Sequence, residues 1–420
     1  MNWGTSDFLN ASRWVAAFFV VFGHVYNISI AEYHDAVPPS LPLRALHFLS
    51  GFGHIAVIIF FVISGFLVGG RAIFSGQNKG FSATDYFVHR FSRIYTVLIP
   101  ALVIGFILDE MGIEFFNASG IYYHPDSFYG NSFGNNMAEH LGFSTFVGNL
   151  LQLQTIVVSS LGSNGPLWSL ANEWWYYVLF GFCMIVYRPG GMLTRFITGS
   201  VIVAMVIVLP PTISLWLIVW GIGAGAALLD RHWAGWPFFA GAMIMVICFI
   251  AVRRTNASLM YTGAPTIAAD FAMDLAVALG YSVALVCAKN LKQRKKFGPL
   301  HSALASFSYT IYLVHYPAMV FLAAFMKDVL DIGFVRQPTV ATMIYAGALL
   351  TILYAYAWAF ASFTEAHTSA VRSRLSKWIP ALLHGGEFLR PQKADKRANA
   401  VVAPPPVSIT IGSHLSLIHI

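Results

Sequence analysis

Residues 53–70 read GHIAVIIFFVISGFLVGG, an apolar run that contains no Asp, Glu, Lys or Arg. The hydrocarbon core of a bilayer is about 30 Å thick, and a helix of about 20 apolar residues crosses it. Similar runs recur along the 420 residues, of which 57% are hydrophobic and 10% are charged, and the mean hydropathy is +0.66. Soluble domains carry about a quarter charged residues. The composition therefore excludes a soluble enzyme, a disordered chain and a fibrous chain, and it predicts an all-α, polytopic bundle of membrane helices.

The sequence predicts about ten membrane spans. Two apolar runs flank Pro210-Pro211, and together they are too long for one span, so we interpret them as a tight hairpin of two helices. The predicted spans are Ser12–Ile30, Phe48–Gly70, Phe91–Leu108, Leu167–Tyr187, Phe196–Leu209, Ile213–Leu229, Trp236–Val252, Ile267–Ala288, Leu304–Phe325 and Val340–Thr364.

Basic residues predict the orientation of these spans. With the N-terminus inside, all but five of the 25 Lys and Arg residues fall on the cytoplasmic side, as the positive-inside rule requires. Arg253-Arg254 is the local exception. The C-terminus then also lies inside, which gives a membrane-embedded domain over residues 1–365 and a cytoplasmic tail over residues 366–420. The tail is basic and then Pro-rich, so we expect it to be disordered. The expected location is a bacterial cytoplasmic (inner) membrane.

Ionisable residues inside the spans are functional candidates, because a charge in the bilayer is costly. Arg13 and His24 are close to three helical turns apart and share one face of the first span. Glu173 in the fourth span and His315 in the ninth are expected at about the depth of His24. A carboxylate beside an imidazole can raise its basicity, as a general base needs. Each of the three could instead be a structural hydrogen-bond partner, and His315 could satisfy carbonyls that Pro317 leaves free.

Two further charged pairs are open to two interpretations each. Arg90 and Arg93 share one face at the start of the third span, and such a pair can bind phosphate groups. Spacing alone favours the other interpretation, an anchor for lipid headgroups. Asp270 and Asp274 lie one turn apart near the outer end of the eighth span, where they could bind acceptor hydroxyls or compensate the helix dipole. The three cysteines match no metal-ligand spacing, so no metal is predicted.

Five motifs occur in an order that is typical of one family. They are RWVAAFFVVFGH from Arg13, GHIAVIIFFVISGFLVGG from Gly53, RFSRIY from Arg90, GPLWSLANEWWYY from Gly165 and SYTIYLVHYP from Ser308. Each motif alone is a weak signal. The ordered set, over residues 10–365, resembles the membrane acyltransferase family 3, the integral-membrane O-acyltransferases of surface polysaccharides and related acceptors.

The resemblance implies ten or eleven membrane helices and a cytoplasmic acyl-CoA donor, usually acetyl-CoA. In that family the R-x10-H pattern of the first helix and the RxxR pattern of the third are regarded as essential. By resemblance, His24 takes the catalytic role, and Arg13, Arg90 and Arg93 bind or position the donor.

The sequence therefore predicts an acyl-CoA-dependent O-acyltransferase that moves an acyl group, with acetyl expected, to a hydroxyl of an extracytoplasmic or lipid-linked carbohydrate. Glu173 would orient His24 or relay its proton, and Tyr312, His315 and Asp270 would contact the acceptor. The expected partners are this acceptor and the lipid bilayer, without nucleic acid, and the oligomeric state is open. Two other classes stay open: a proton-coupled transporter, since intramembrane His and Glu also form proton relays, and a non-catalytic subunit of a glycan assembly complex.

Overall fold

The computed structural model describes residues 3–29, 41–123, 136–188, 191–229, 267–289, 298–332 and 339–383, together with part of 239–250. Every regular element within these residues is a helix, which confirms the all-α fold class. We number the α-helices in chain order. They are α1 Trp3–Ser29, α2 Leu41–Ser50, α3 Gly53–Ser64, α4 Gly70–Lys79, α5 Ala83–Phe115, α6 Phe143–Leu150, α7 Leu167–Tyr187, α8 Met192–Val208, α9 Pro211–Leu228, α10 Ile267–Ala288, α11 Gly298–Ala305, α12 Ser308–Leu330, α13 Val340–Phe363 and α14 Thr368–Leu383.

Seven helical segments of the described chain are long and apolar enough to cross a membrane, so this is a multi-pass membrane protein. α7 and α10 have the bounds of the fourth and eighth predicted spans, and α8 and α9 separate at Leu209–Pro210. The predicted span Trp236–Val252 lies largely outside the described residues. The total of ten spans and the N-in, C-in orientation remain predictions. The seven segments are Thr5–Ser29, Leu41–Phe74, Ala83–Phe115, Pro211–Leu228, Ile267–Ala288, Ser308–Leu330 and Val340–Ile379.

The second predicted span is not one regular helix. A break separates α2 from α3, and Gly65–Gly69 forms a π-helical segment between α3 and α4. This segment lies against α9, where a Cβ atom on Gly65 would overlap the carbonyl oxygen of Trp220. A Cβ atom on Gly223 of α9 would likewise overlap the carbonyl oxygen of Val62. Backbone touches backbone at both points, so glycine is required there.

The long loop between α5 and α7 is tied to the bundle where α7 begins. Asp109 of α5 is buried, and its carboxylate accepts hydrogen bonds from the backbone N–H (2.8 Å) and the hydroxyl (2.7 Å) of Ser163. The side chain of Asn164 donates to the carbonyl oxygen of Leu313 in α12 at 2.9 Å. These contacts fix the position of α7, which carries Glu173.

The first part of the tail is helical. Glu365–His367 forms a 3₁₀ turn, and α14 follows it. Residues 368–383, for which disorder was predicted, are helical in the structure. Glu365 is buried against α12 and anchors the turn from which α14 starts. Residues 384–420 lie outside the described residues. The chain divides into two compact units, residues 1–376 and 377–420.

Candidate active site

Helices from both ends of the first unit surround a cavity of about 720 Å³. Its lining carries five arginines and two carboxylates, so positive charge is in excess. Guanidinium groups bind phosphate and carboxylate in a fixed, bidentate geometry, and a cavity of this volume suits a cofactor-sized ligand. The charged groups are Arg13, Arg71, Arg90, Arg93 and Arg372 with Glu173 and Glu365.

Arg93 is held in place by an ion pair. Its Nη1 atom lies 2.7 Å from Oε1 of Glu365, and its guanidinium stacks over the ring of Tyr309 at 4.9 Å. The other oxygen of Glu365 accepts hydrogen bonds from the backbone N–H (3.1 Å) and the hydroxyl (2.8 Å) of Thr310. Both oxygens of this buried carboxylate are therefore used. Sequence reasoning missed Glu365, although it is an acidic residue that directly follows a predicted span.

Arg90 differs from Arg93, although the two share a motif. Its guanidinium lies 5.5 Å from the centre of the Tyr177 ring, and its Nε atom is buried without a partner. Within the described residues no ion pair involves Arg90. The cavity thus contains one arginine that is already neutralised and one whose charge is available to a ligand.

Glu173 ends a chain of hydrogen bonds that crosses three helices. Its carboxylate accepts from the hydroxyl of Tyr177 one turn further along α7. That hydroxyl lies 2.9 Å from the hydroxyl oxygen of Ser64, which accepts from Nε1 of Trp220 in α9 at 3.0 Å. Glu173 also interacts electrostatically with Arg13. These hydrogen bonds hold Glu173 in the wall of the cavity, beside its arginines.

His24 packs against α12 and not against Glu173. Its ring centre lies 5.4 Å from that of His315 and 4.9 Å from that of Tyr316. Neither histidine lines the cavity. His24 is eleven residues beyond Arg13, about 16 Å along α1 at 1.5 Å per residue, so the imidazole pair lies deeper in the bundle than the arginines.

Tyr312 connects these two groups. It lines the cavity, and its ring centre lies 6.2 Å from that of His315. Its hydroxyl lies 2.6 Å from the hydroxyl oxygen of Ser169 in α7 and donates to the carbonyl oxygen of Pro166 at 3.3 Å. The described structure therefore groups seven of the eight predicted site residues. Five line the cavity, two form the imidazole pair, and Tyr312 links the two groups.

The two aspartates of α10, Asp270 and Asp274, do not line the cavity. Asp270 is exposed at the start of α10 and does not line the cavity. Asp274 is buried and accepts hydrogen bonds from Nε2 of His54 (2.9 Å) and Nε1 of Trp216 (2.7 Å). Asp274 thus joins three helices, and sequence reasoning missed its partner His54. Among the described residues, no group of three or more His, Cys, Asp or Glu side chains could hold a metal ion.

Comparison with known proteins gives three findings. A family model described as an acyltransferase domain, acyltransferase family 3, matches residues 6–362. The chain is 24% identical over 330 residues to an O-acetyl transferase of Shigella phage Sf6, which covers 74% of this chain and 84% of that protein. It is 31% identical over 129 residues to an uncharacterised protein of Haemophilus influenzae, with coverages of 30% and 48%. No solved structure matches the chain.

Proposed function

Because the chain belongs to the acyltransferase family 3, we propose that it transfers an acetyl group from cytoplasmic acetyl-CoA to a hydroxyl of a carbohydrate. The carbohydrate would be extracytoplasmic or carried on a lipid. Membership of the family makes the chain an acyltransferase, and the similarity to an O-acetyl transferase supports transfer to oxygen. The arginine-rich cavity is the observation that carries the proposal, because it matches the charge of the expected donor.

In this proposal the phosphate groups of acetyl-CoA bind in the cavity. Arg90 has no counterion within the described chain and is the first candidate for a phosphate contact. Arg71 and Arg372 are exposed where they line the cavity and add positive charge. Arg93 contributes through its fixed position beside Tyr309, because Glu365 already neutralises much of its charge. The thioester arm would then extend past Tyr312 toward the imidazole pair.

The proposed general base is His24. It would accept the proton of the acceptor hydroxyl as that oxygen attacks the thioester carbon, and the acceptor would enter from the side opposite the donor. Glu173 bonds to Tyr177 and interacts with Arg13, so its proposed role is to position the donor site. The alternative of a transporter also uses intramembrane His and Glu residues, but it gives no reason for an arginine-lined cavity.

The proposal is tested by supplying labelled acetyl-CoA to the cytoplasmic face of membrane vesicles and counting label in lipid-linked and glycan fractions. General base catalysis supplies about 10²–10⁴-fold in rate, so His24→Ala should lose at least about 100-fold. His140→Ala, which removes a histidine from the loop between α5 and α7, is the matched control and should behave like the wild type.

Three outcomes are informative. Label in the wild type and the control, but not in His24→Ala, supports both the reaction and the base. Equal label in all three proteins removes His24 as the base. No label in the wild type, with protein present in the membrane, contradicts acetyl-CoA as the donor.

A further inference from the structure

One ring nitrogen of His315 is hydrogen-bonded, and the other has no partner among the described residues. Its Nδ1 atom lies 2.9 Å from the carbonyl oxygens of both Ile311 and Tyr312. A carbonyl oxygen only accepts hydrogen bonds, so Nδ1 carries the proton of the neutral ring and Nε2 carries a lone pair. The side chain is fully buried, and Nε2 has no partner among the described residues. An unused acceptor is costly in such surroundings, which points to a partner that forms during function.

These hydrogen bonds do not compensate for the nearby proline. Pro317 lacks an N–H group, so it leaves the carbonyl oxygen of Leu313, four residues earlier, without its helical donor. Asn164 supplies that donor from the loop before α7, at 2.9 Å. His315 instead contacts the carbonyls of Ile311 and Tyr312. The role of satisfying the freed carbonyl therefore belongs to Asn164, and His315 needs another explanation.

The ring of His24 lies beside the ring of His315. The two ring planes are tilted by 31°, with centres 5.4 Å apart. Nε2 of His315 has no direct partner among the described residues, and one water molecule can bridge two polar groups that do not touch. His24 is only partly buried. A neutral imidazole carries one N–H and one lone pair, and the hydrogen bond made by one nitrogen decides which of the two remains basic.

We propose that His315 is a positioning residue for His24. Its Nε2 atom accepts a hydrogen bond from a water that in turn accepts one from the N–H of His24, and this keeps the second nitrogen of His24 free as the base. An acceptor on the first nitrogen also raises the basicity of the second. This inference rests on the proposed function, in which His24 is the base.

The proton can then be followed through the reaction. The acceptor hydroxyl loses its proton to the free nitrogen of His24 while its oxygen forms a bond to the thioester carbon. The carbon–sulfur bond breaks, and the thiolate of CoA leaves. The His24 imidazolium keeps its other N–H on the water that bridges to His315 and returns the first proton to the thiolate. Nothing is oxidised or reduced, and both histidines return to their starting state.

Two substitutions separate positioning from structural support. Glutamine offers a carbonyl oxygen as an acceptor near the place of Nε2, whereas phenylalanine fills the space without one. In the transition state the partner is a developing imidazolium, and a hydrogen bond to a charged group contributes about 10- to 100-fold. We expect His315→Phe to lower kcat by that factor with an unchanged KM for acetyl-CoA, and His315→Gln to stay within a few-fold of the wild type. Equal loss in both variants, or no loss in His315→Phe, would overturn the inference.

A second measurement does not depend on acetyl transfer. Diethylpyrocarbonate modifies the free nitrogen of a neutral histidine, and peptide mass spectrometry gives the rate at His24 at constant pH. We expect that rate to fall several-fold in His315→Phe and to be retained in His315→Gln. Tyr345→Phe removes another buried, unpartnered polar atom, from α13, and is the matched control, with a wild-type rate.

The modification rate distinguishes failure of the inference from failure of the proposed function. An equal rate in His315→Phe and the wild type, or a His24 that does not react in the wild type, overturns the positioning role. If His24 reacts as expected but no protein transfers acetyl, the positioning role stands and the proposed reaction is wrong.

Discussion

The two arginines of the RxxR motif have different electrostatic surroundings. Arg93 pairs with Glu365, whose second oxygen bonds to Thr310. Arg90 lies over the face of Tyr177 and forms no ion pair within the described residues. Removing one member of a buried ion pair leaves the other uncompensated, at a cost of about 3–5 kcal/mol when both are buried. Because Arg93 remains 34% exposed, the cost here is expected below that range.

We therefore expect Arg93→Ala to lower the thermal unfolding temperature in detergent. Arg90→Ala should leave that temperature unchanged and raise the KM for acetyl-CoA by about 10- to 100-fold, since a charge-assisted hydrogen bond contributes about 1.5–3 kcal/mol. Thermal unfolding and initial-rate kinetics on the purified variants check both effects.

The double variant Arg93→Ala/Glu365→Ala is the control for the ion pair. It should recover part of the stability lost in Arg93→Ala, because it no longer leaves the buried carboxylate of Glu365 without its ion-pair partner. Identical stability and KM effects for Arg90→Ala and Arg93→Ala would show that the two arginines do not have separate roles.

At the scale of helices, the contact between α3, its π-helical extension and α9 positions the hydrogen-bond chain that ends at Glu173. Gly65 and Gly223 bring the two backbones into contact. Within that chain the indole N–H of Trp220 donates to the hydroxyl oxygen of Ser64, and both residues lie next to this contact. The position of Glu173 in the cavity wall therefore depends on this close contact between the two helix backbones.

Two glycines of α9 test this condition. Gly223→Ala should lower stability by about 1–3 kcal/mol or more, because its Cβ atom would overlap the backbone of Val62. Gly225→Ala is the matched control, since nothing lies within 4 Å of its Cβ position, and alanine is the better helix former. Thermal unfolding in detergent measures both. If the two variants had equal stability, the close packing of α3 against α9 would not contribute to the stability of the protein.

At the scale of the whole molecule, the orientation in the membrane decides which face receives the donor. The distribution of basic residues predicts that the loop before α7 lies outside and that α14 lies inside. Ser144 of α6 and Ser373 of α14 are exposed sites where a single cysteine can report this.

In a background that lacks the native cysteines, Ser144→Cys should react with an impermeant maleimide on intact cells. Ser373→Cys should react only after permeabilisation, and this places the cavity arginine Arg372 on the cytoplasmic side. The reverse labelling pattern would invert the topology and would put the proposed donor site on the wrong face for acetyl-CoA.

Much of the fold was predictable because the local composition of a segment is enough to predict a membrane span. A long apolar run must become a helix in lipid, since its backbone groups have no other partners. α10 accordingly has the predicted bounds and is one of the seven apolar segments. α7 also has the predicted bounds, but it is not among those seven. The π-helical segment was not predictable, because it arises from contact with α9. The helical start of the tail depends on the burial of Glu365, which a local pattern does not contain.

The sequence by itself determined an all-α, multi-pass membrane fold, and the order of its motifs predicted the acyltransferase family that the family model shows. Resemblance, and not spacing, predicted roles for Arg13, Arg90 and Arg93, and the structure places these residues and Glu173 around one cavity. Helical periodicity gives the face on which a residue lies, but not which helix that face meets. Only the tertiary structure decided that Glu365 neutralises Arg93, that the hydroxyl of Tyr177 lies beside that of Ser64, and that His24 lies beside His315. Partners far apart in sequence are chosen by how helices pack and rotate, which depends on the whole bundle.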